Sequence, residues 1–177
     1  AVDQELARGT FAATYAGTYH NRSVAVKAHV GPERLDFMQE CIIHNELYCA
    51  DTGKRGARIP KLLAICHNVA GCHAQFLIME RLEKTLDKVT FTKRQFRGMV
   101  VSVAKLLQDL QARCQFLHGD MHDSNLMQKD AAWYLIDFGF SALQKGSTHL
   151  VGDMLLDSAT SVGTLAAHAR RDRGLPP

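Results

Sequence analysis

The 177-residue chain lacks any long hydrophobic run: no stretch approaches the roughly 18 apolar residues that a membrane span requires. It also lacks a strong excess of charge. The 21 Lys and Arg residues against 18 Asp and Glu give a net charge of +3, too little to indicate a nucleic-acid or membrane-surface partner. Because 46% of the residues are hydrophobic and 22% are charged, disordered and fibrous chains are excluded as well. One globular domain is the expected organisation.

Cysteine is sparse and odd in number. The five cysteines are Cys41, Cys49, Cys66, Cys72 and Cys114. A disulfide framework is typical of shorter secreted chains, so we expect buried thiols in a reducing compartment. Residues 1–5, which carry the acidic side chains Asp3 and Glu5, are not typical of a signal peptide. The sequence therefore predicts an intracellular protein, in the cytoplasm or the nucleus.

Hydrophobic periodicity divides the chain into a strand-rich first part and a helix-rich second part. Strands are expected at 11–18, 24–28, 62–66, 75–79 and 133–136, and helices from Pro32, over 92–112 and over 150–171. This order predicts a single α+β domain over residues 1–177. A β-rich lobe (1–80) would be joined by a linker (81–88) to a minimal α-rich lobe (89–177).

Segment 118–125, which reads His-Gly-Asp-Met-His-Asp-Ser-Asn, carries the strongest chemical signal. It places the carboxylate of Asp120 and the amide of Asn125 on a loop, and Asp137 directly follows an apolar strand. Mg²⁺ prefers a few such oxygens together with phosphate oxygens. Asn125 and Asp137 can supply them, which leaves Asp120 to accept a proton from an attacking hydroxyl.

This pattern resembles the protein-kinase superfamily. Segment 118–125 is similar to the kinase catalytic loop, and 137–139, Asp-Phe-Gly, is similar to the metal-binding triplet. The resemblance covers residues 6–165. It implies a two-lobed kinase-like fold, ATP and Mg²⁺ as cofactors, and phosphate transfer to a hydroxyl group.

Residues 24–27, Val-Ala-Val-Lys, resemble the strand motif whose lysine binds the α- and β-phosphates. Lys27 then needs a glutamate on the following helix. Glu40 lies only 13 residues after Lys27. Glu46 lies 19 residues after Lys27, and this longer spacing leaves room for both a loop and enough helix, so we favour Glu46. The resemblance also assigns the nucleotide pocket to Gly9 and Phe11 of the phosphate loop, Ala25 and Met127 on the two faces of adenine, Met79, Glu80 and Leu82 of the hinge, and Ile136.

The chain departs from the kinase pattern in three places. Of the three phosphate-loop glycines only Gly9 is present, so the backbone can approach phosphates at fewer points. Gly119 replaces the arginine that reads phosphorylation of the activation loop, which predicts a kinase that is not switched in that way. Only 38 residues follow Gly139, so we expect one last helix, with Asp153 anchoring the catalytic loop, and no protein-substrate platform.

The His-Gly-Asp triplet and the short activation segment resemble the kinase of the KEOPS tRNA-modification complex. His122 is similar instead to haspin and the aminoglycoside phosphotransferases, because Ser/Thr kinases usually place a lysine there. Compact virus-encoded kinases, which act in a host cell, have a similarly small second lobe. By resemblance, Asp120, Lys27 and His122 are the catalytic candidates.

Three functions stay open. The first is an atypical Ser/Thr protein kinase acting on a protein substrate. The second is a small-molecule kinase of the aminoglycoside or choline type. The third is a pseudokinase, or an ATPase subunit that depends on a regulatory partner protein. The intact set of Lys27, Asp120, Asn125 and Asp137 favours the first over a site without catalysis.

Overall fold

The computed structural model describes residues 1–9, 12–29, 35–51, 57–67, 75–146 and 148–151. Over these ranges the chain is an α+β fold. The strands are β1 Val2–Arg8, β2 Ala12–Tyr19, β3 Arg22–His29, β4 Ala57–Arg58, β5 Leu62–His67, β6 Gln75–Glu80, β7 Lys84–Thr85, β8 Leu126–Lys129, β9 Ala132–Leu135, β10 Ala142–Lys145 and β11 Thr148–Val151, and the helices are α1 Leu35–Ala50 and α2 Lys93–Cys114. In these same ranges, neither helix is long and apolar enough to cross a bilayer.

Five antiparallel strands form the first sheet, in the order β1-β2-β3-β6-β5. The β2–β3 hairpin turns at His20 and Asn21, which both have positive φ, as tight hairpin turns require. In the β3–β6 ladder Lys27 lies opposite Leu77. The central position of β3 therefore holds Lys27 in the middle of the sheet.

Helix α1 contributes to two separate apolar clusters. Phe37 and Cys41 pack with Leu77 of the first sheet. Ile43 and Leu47, which are fully buried, belong to the main core with α2 and the second sheet. Helix α1 is therefore packed against the first sheet on one side and against the main core on the other.

Helix α2 begins at a capping box. Thr92 Oγ1 accepts from the Gln95 N–H (3.3 Å), and Gln95 Oε1 accepts from the Thr92 N–H (2.9 Å). The buried residues recur at helical spacing and are Met99, Val103, Leu106, Leu110 and Cys114. Gln115 ends the helix in the left-handed conformation with φ 47°. The chain then passes directly into the polar loop of segment 118–125.

A second sheet has the order β4-β9-β8-β7, and β10 pairs with β11. In the β8–β9 hairpin Leu126 lies opposite Leu135, with Asp130 and Ala131 in the turn at positive φ. This hairpin places the residue before β8, Asn125, beside the residues that follow β9.

Most of the elements expected from sequence are confirmed: β2, β3, β5, β6, β9, α1 and α2 are all present. The start of the last expected helix is wrong, because Leu150 and Val151 lie in β11 and pair with β10. The rest of that helix, with Asp153, lies outside the described residues, as does Phe11. Cys41 and Cys114 are buried as expected, whereas the Cys49 thiol is exposed, contrary to expectation.

Candidate functional site

A cluster of three charged side chains joins the first sheet, α1 and the segment after β9. Lys27 Nζ donates to Glu40 Oε1 at 2.5 Å and to Asp137 Oδ1 at 3.0 Å. The side chains of Lys27 and Glu40 are only 12% and 8% exposed, whereas that of Asp137 is 43% exposed. The cluster thus has a buried end and an open end.

The prediction that Glu46 is the partner of Lys27 is wrong, because the structure pairs Lys27 with Glu40. Helix α1 starts at Leu35, so Glu40 already lies in its second turn. Glu46 lies six residues later, about 9 Å further along the axis and on a different side of the helix. The spacing argument failed because it assumed that a longer stretch of loop and helix was needed.

The three groups stabilise one another as charges. Burial alone would lower the pKa of Lys27, but the carboxylates of Glu40 and Asp137 outweigh burial and raise it above its ordinary value. Burial acts to raise the pKa of Asp137, yet the Lys27 ammonium and the Gly139 N–H bring it below its usual range. Burial raises the pKa of Glu40 against the attraction of Lys27. Lys27 is therefore an ammonium and Asp137 a carboxylate at neutral pH.

The turn at 137–139 is tied to α1 through its backbone. The Glu40 carboxylate accepts from the Phe138 N–H, and the Asp137 carboxylate accepts from the Gly139 N–H. Asp137 has φ 63°, a conformation that a non-glycine residue keeps only where its surroundings enforce it. The Phe138 ring, which is buried, anchors the turn in the main core.

His118 links segment 118–125 to the residues after β9. Its Nδ1 accepts from the Asp120 N–H at 3.3 Å, so its Nε2 carries the proton and donates to the Ile136 carbonyl at 3.0 Å. Burial lowers the pKa of His118, in agreement with a neutral ring. Ser141 Oγ donates to the His118 carbonyl at 2.9 Å and adds a second link.

Gly119 has a steric reason to be glycine. Its φ is +80°, and a Cβ built there would lie 2.2 Å from the carbonyl oxygen of Phe140. Any side chain, an arginine included, would collide with this backbone. The close approach brings the segment after Asp137 directly against the loop that carries Asp120.

Asn125 organises the loop around Asp120. Its Nδ2 donates to the Asp120 carbonyl at 2.8 Å, lies 3.3 Å from Asp120 Oδ2 and lies 2.9 Å from His122 Nε2. Because the amide nitrogen is occupied, Oδ1 is the Asn125 atom left to bind a ligand. The side chains of Asp120 and His122 are 43% and 47% exposed, so both are open to a substrate.

Asn125 lies beside the residue that precedes Asp137. The Asn125 carbonyl accepts from the Ile136 N–H at 3.0 Å, one residue before Asp137. Within the described ranges no group of three or more His, Cys, Asp and Glu side chains is arranged to hold a metal ion. The donor set is thus one amide and one carboxylate oxygen. It fits an ion such as Mg²⁺ that takes its other oxygens from phosphate and water, but not an all-protein metal site.

Several residues of the expected nucleotide pocket also come together. Ala25 pairs with Met79 between β3 and β6, and the Glu83 N–H donates to the Gln128 carbonyl at 2.9 Å, which joins the linker to β8 beside Met127. Leu82 is buried, and the hydrogen bonds among the described residues use neither its N–H nor its carbonyl.

The remaining expected pocket residues contribute less. The Glu80 side chain accepts from Lys129 Nζ at 3.1 Å and from the Lys61 N–H at 2.8 Å, and the Glu80 N–H donates to the Lys61 carbonyl. Gly9 is exposed and donates its N–H to Ala12. Both backbone groups of Ile136 are occupied.

Two surface grooves have volumes of about 440 and 290 Å³. The larger is lined by residues that include Tyr48, Arg58, Tyr134 and Glu80 of the expected hinge, and the smaller by residues that include Tyr19 and Arg22. Neither is lined by a member of the charged cluster. The charged cluster is therefore identified as the candidate site by the chemistry of its side chains, since it lines neither groove.

Sequence reasoning missed His44 and Ser141, two buried polar residues that contact the site from neighbouring elements. The helical spacing of His44 from Glu40 was the one available signal for it. Comparison with protein-family models and with curated proteins gives no match to the chain. The site is thus interpreted from its own geometry.

Proposed function

We propose that the chain is a Mg²⁺- and ATP-dependent phosphotransferase with a kinase-like two-lobed fold, acting as an atypical Ser/Thr protein kinase inside the cell. The observation that carries this proposal is the position of Lys27 Nζ, 2.5 Å from Glu40 and 3.0 Å from Asp137. A buried ammonium held beside an open carboxylate suits phosphate and metal together. In this proposal residues 1–80 and 89–177 are the lobes and 81–88 the hinge.

Each residue of the site has a distinct role in this proposal. Lys27, held by Glu40, binds the α- and β-phosphates. Asn125 and Asp137 would hold Mg²⁺, which supplies neutralisation of the phosphate charge when bound. Asp120, half exposed beside them, orients a substrate hydroxyl and accepts its proton.

The adenine ring would bind at the linker in this proposal. The Leu82 N–H and carbonyl, which form no hydrogen bond among the described residues, would offer one donor and one acceptor, and Ala25 of β3 and Met127 of β8 would lie on the two faces of the ring. The exposed Gly9 and the missing glycines near it predict loose contact with the phosphates. We therefore expect the affinity for ATP to depend on Lys27 and Asp137 more than on the phosphate loop.

A small-molecule kinase is the second candidate, and His122 favours it. The imidazole lies 2.9 Å from Asn125 and 3.5 Å from Asp120, so it occupies the substrate side of the loop. It is a weaker ligand for phosphate than the lysine of Ser/Thr kinases. Transfer to a panel of proteins, compared with transfer to choline and aminoglycosides, distinguishes the two classes.

The proposal is tested by incubating the protein with Mg²⁺ and γ-labelled ATP and following label on protein and as free phosphate. Asp137→Ala should abolish both signals, whereas Asp3→Asn, which changes an exposed carboxylate of β1 outside the site, should leave them unchanged. Free phosphate without labelled protein would indicate an ATPase that needs a partner. Equal signals in wild type and Asp137→Ala would refute the proposal.

A comparison of two conservative variants then separates the roles of the carboxylates. Asp120→Asn should lower turnover by at least a hundredfold with little change in ATP affinity, since general-base catalysis contributes about 10²–10⁴ in rate. Asp137→Asn should weaken the binding of Mg²⁺-ATP as well. Full turnover in Asp120→Asn would show that this residue is not the base.

A further inference from the structure

His44 is a buried, titratable side chain on α1 that has no role in phosphate or metal binding. It is only 2% exposed. Its Nε2 lies 2.8 Å from the Pro60 carbonyl oxygen, just before β5. Its ring stands edge-on to Phe138, with centroids 5.1 Å apart and planes at 70°.

The tautomer of His44 follows from its partner. A carbonyl oxygen can only accept, so Nε2 carries the proton and donates to Pro60. Burial lowers the pKa of His44 to about 4, so the ring is neutral at physiological pH and has this single N–H to donate. A neutral imidazole in this setting acts as a fixed hydrogen-bond donor and as an aromatic contact.

The position of His44 relates it to Glu40. The two residues are four apart on α1 and so lie on the same face, one turn from each other. Both contact Phe138: Glu40 accepts its N–H, and His44 packs against its ring. A single helix face thus holds the turn after β9 by its backbone and by its side chain.

Small rotations of α1 matter because the Lys27–Glu40 contact is short. The side-chain tips of a helix lie roughly 6 Å from its axis, so a rotation of 20° would move the Glu40 carboxylate by about 2 Å. That displacement would break the contact of 2.5 Å with Lys27. The buried Ile43 and Leu47 oppose such a rotation by packing, and the directional hydrogen bond from His44 to the Pro60 carbonyl opposes it in addition.

We propose that His44 is a positioning residue, whose hydrogen bond to the Pro60 carbonyl fixes the rotation of α1 and so holds Glu40 against Lys27 and the Phe138 N–H. The geometric part of this proposal is independent of the reaction. Its consequence for phosphate transfer rests on the proposed function above.

The direct test is site-resolved amide hydrogen exchange, measured by NMR on four variants. His44→Met removes the donor and keeps the volume, and His44→Phe keeps a ring against Phe138 without the donor. His44→Gln restores an N–H at the place of Nε2. Ile43→Val is the matched control, because Ile43 is the adjacent fully buried residue and packs in the main core.

In His44→Met and His44→Phe we expect exchange of the Phe138 N–H to rise at least tenfold relative to Leu106 in α2. His44→Gln should stay within threefold of wild type, and Ile43→Val should change both amides equally. If His44→Met does not fold, His44→Phe decides the question. Unchanged relative exchange in the donor-less variants, or the same rise in His44→Gln, would overturn the proposal.

A second measurement links the position of Glu40 to the reaction. If the wild type transfers phosphate, His44→Met should lower kcat/KM at least tenfold, while His44→Gln keeps at least half of the wild-type value. A wild type that transfers no phosphate refutes the proposed function alone, because the exchange result still decides the role of His44. Equal kcat/KM in wild type and His44→Met would overturn the link.

Discussion

Acidification should destabilise the fold through His44. The ordinary pKa of histidine is about 6.5, and burial lowers the pKa of His44 in the folded protein to about 4. As the pH falls through 6.5 the unfolded chain takes up a proton that the folded ring refuses, so stability falls. The loss continues until the folded ring also protonates, near pH 4. At about 1.4 kcal/mol for each pH unit, the full loss is about 3 kcal/mol.

The same linkage between protonation and folding gives the size of the loss of stability over a pH range that can be measured. Between pH 7 and pH 5 the contribution of His44 to the free energy of unfolding should fall by about 2 kcal/mol. Glu40 and His118 also have shifted pKa values, so the total pH dependence contains other groups. A variant that lacks only the His44 titration is therefore needed as the reference.

Urea unfolding of the wild type and His44→Gln at several pH values from 7 to 5 measures this contribution. The groups that the two proteins share cancel in the difference between their free energies of unfolding. The wild type should lose about 2 kcal/mol relative to His44→Gln over this range. A difference that does not vary with pH would show that the ring of His44 is not held neutral, and the argument from burial would be refuted.

Four other single substitutions and one double variant have definite expected effects on the free energy of unfolding, each measured by urea titration. Gly119→Ala should cost about 3 kcal/mol or more, because its Cβ has no room, whereas Gly98→Ala on the exposed side of α2 should stabilise by about 0.5–1 kcal/mol. Lys27→Met should cost about 3 kcal/mol, because it leaves the buried Glu40 without its cation, and Glu40→Met added to it should recover most of that loss. Thr92→Ala should cost about 1 kcal/mol by removing the cap of α2.

Each of these expectations has an outcome that contradicts it. If Gly119→Ala and Gly98→Ala were equally stable, the loop at Gly119 would not approach Phe140 as closely as it does in the structure. If Lys27→Met were as stable as the wild type, the buried Glu40 carboxylate would not depend on an ion pair with Lys27. An unchanged stability in Thr92→Ala would show that the capping box is not formed in solution.

The strands that the sequence predicts are those with β-branched or apolar runs. β1 was missed because every residue from Val2 to Arg8 is exposed, so the strand has no alternation of buried and exposed positions. β4 and β7 have two residues each and owe their form to pairing with β9 and β8. Such pairing joins residues far apart in sequence, and local patterns do not contain it.

The sequence singles out the loop residues of the site because their chemistry stands in two short segments. In the structure Asn125 contacts Asp120 and also lies beside Ile136, which precedes Asp137. The glutamate partner of Lys27 could not be predicted from the sequence, because the choice between two glutamates on one helix depends on where that helix begins. His44 was missed since a buried histidine on an apolar face has no distinctive pattern.

The most direct test of the central claim, that the charged cluster binds a metal-bound triphosphate, is calorimetric titration of ATP with and without Mg²⁺. The wild type and Asp3→Asn should bind ATP at least tenfold more tightly when Mg²⁺ is present. Asp137→Asn should lose this dependence on Mg²⁺, and Lys27→Met should bind weakly in both conditions. No binding by the wild type at millimolar ATP, or the same affinity in all four proteins, would contradict the claim.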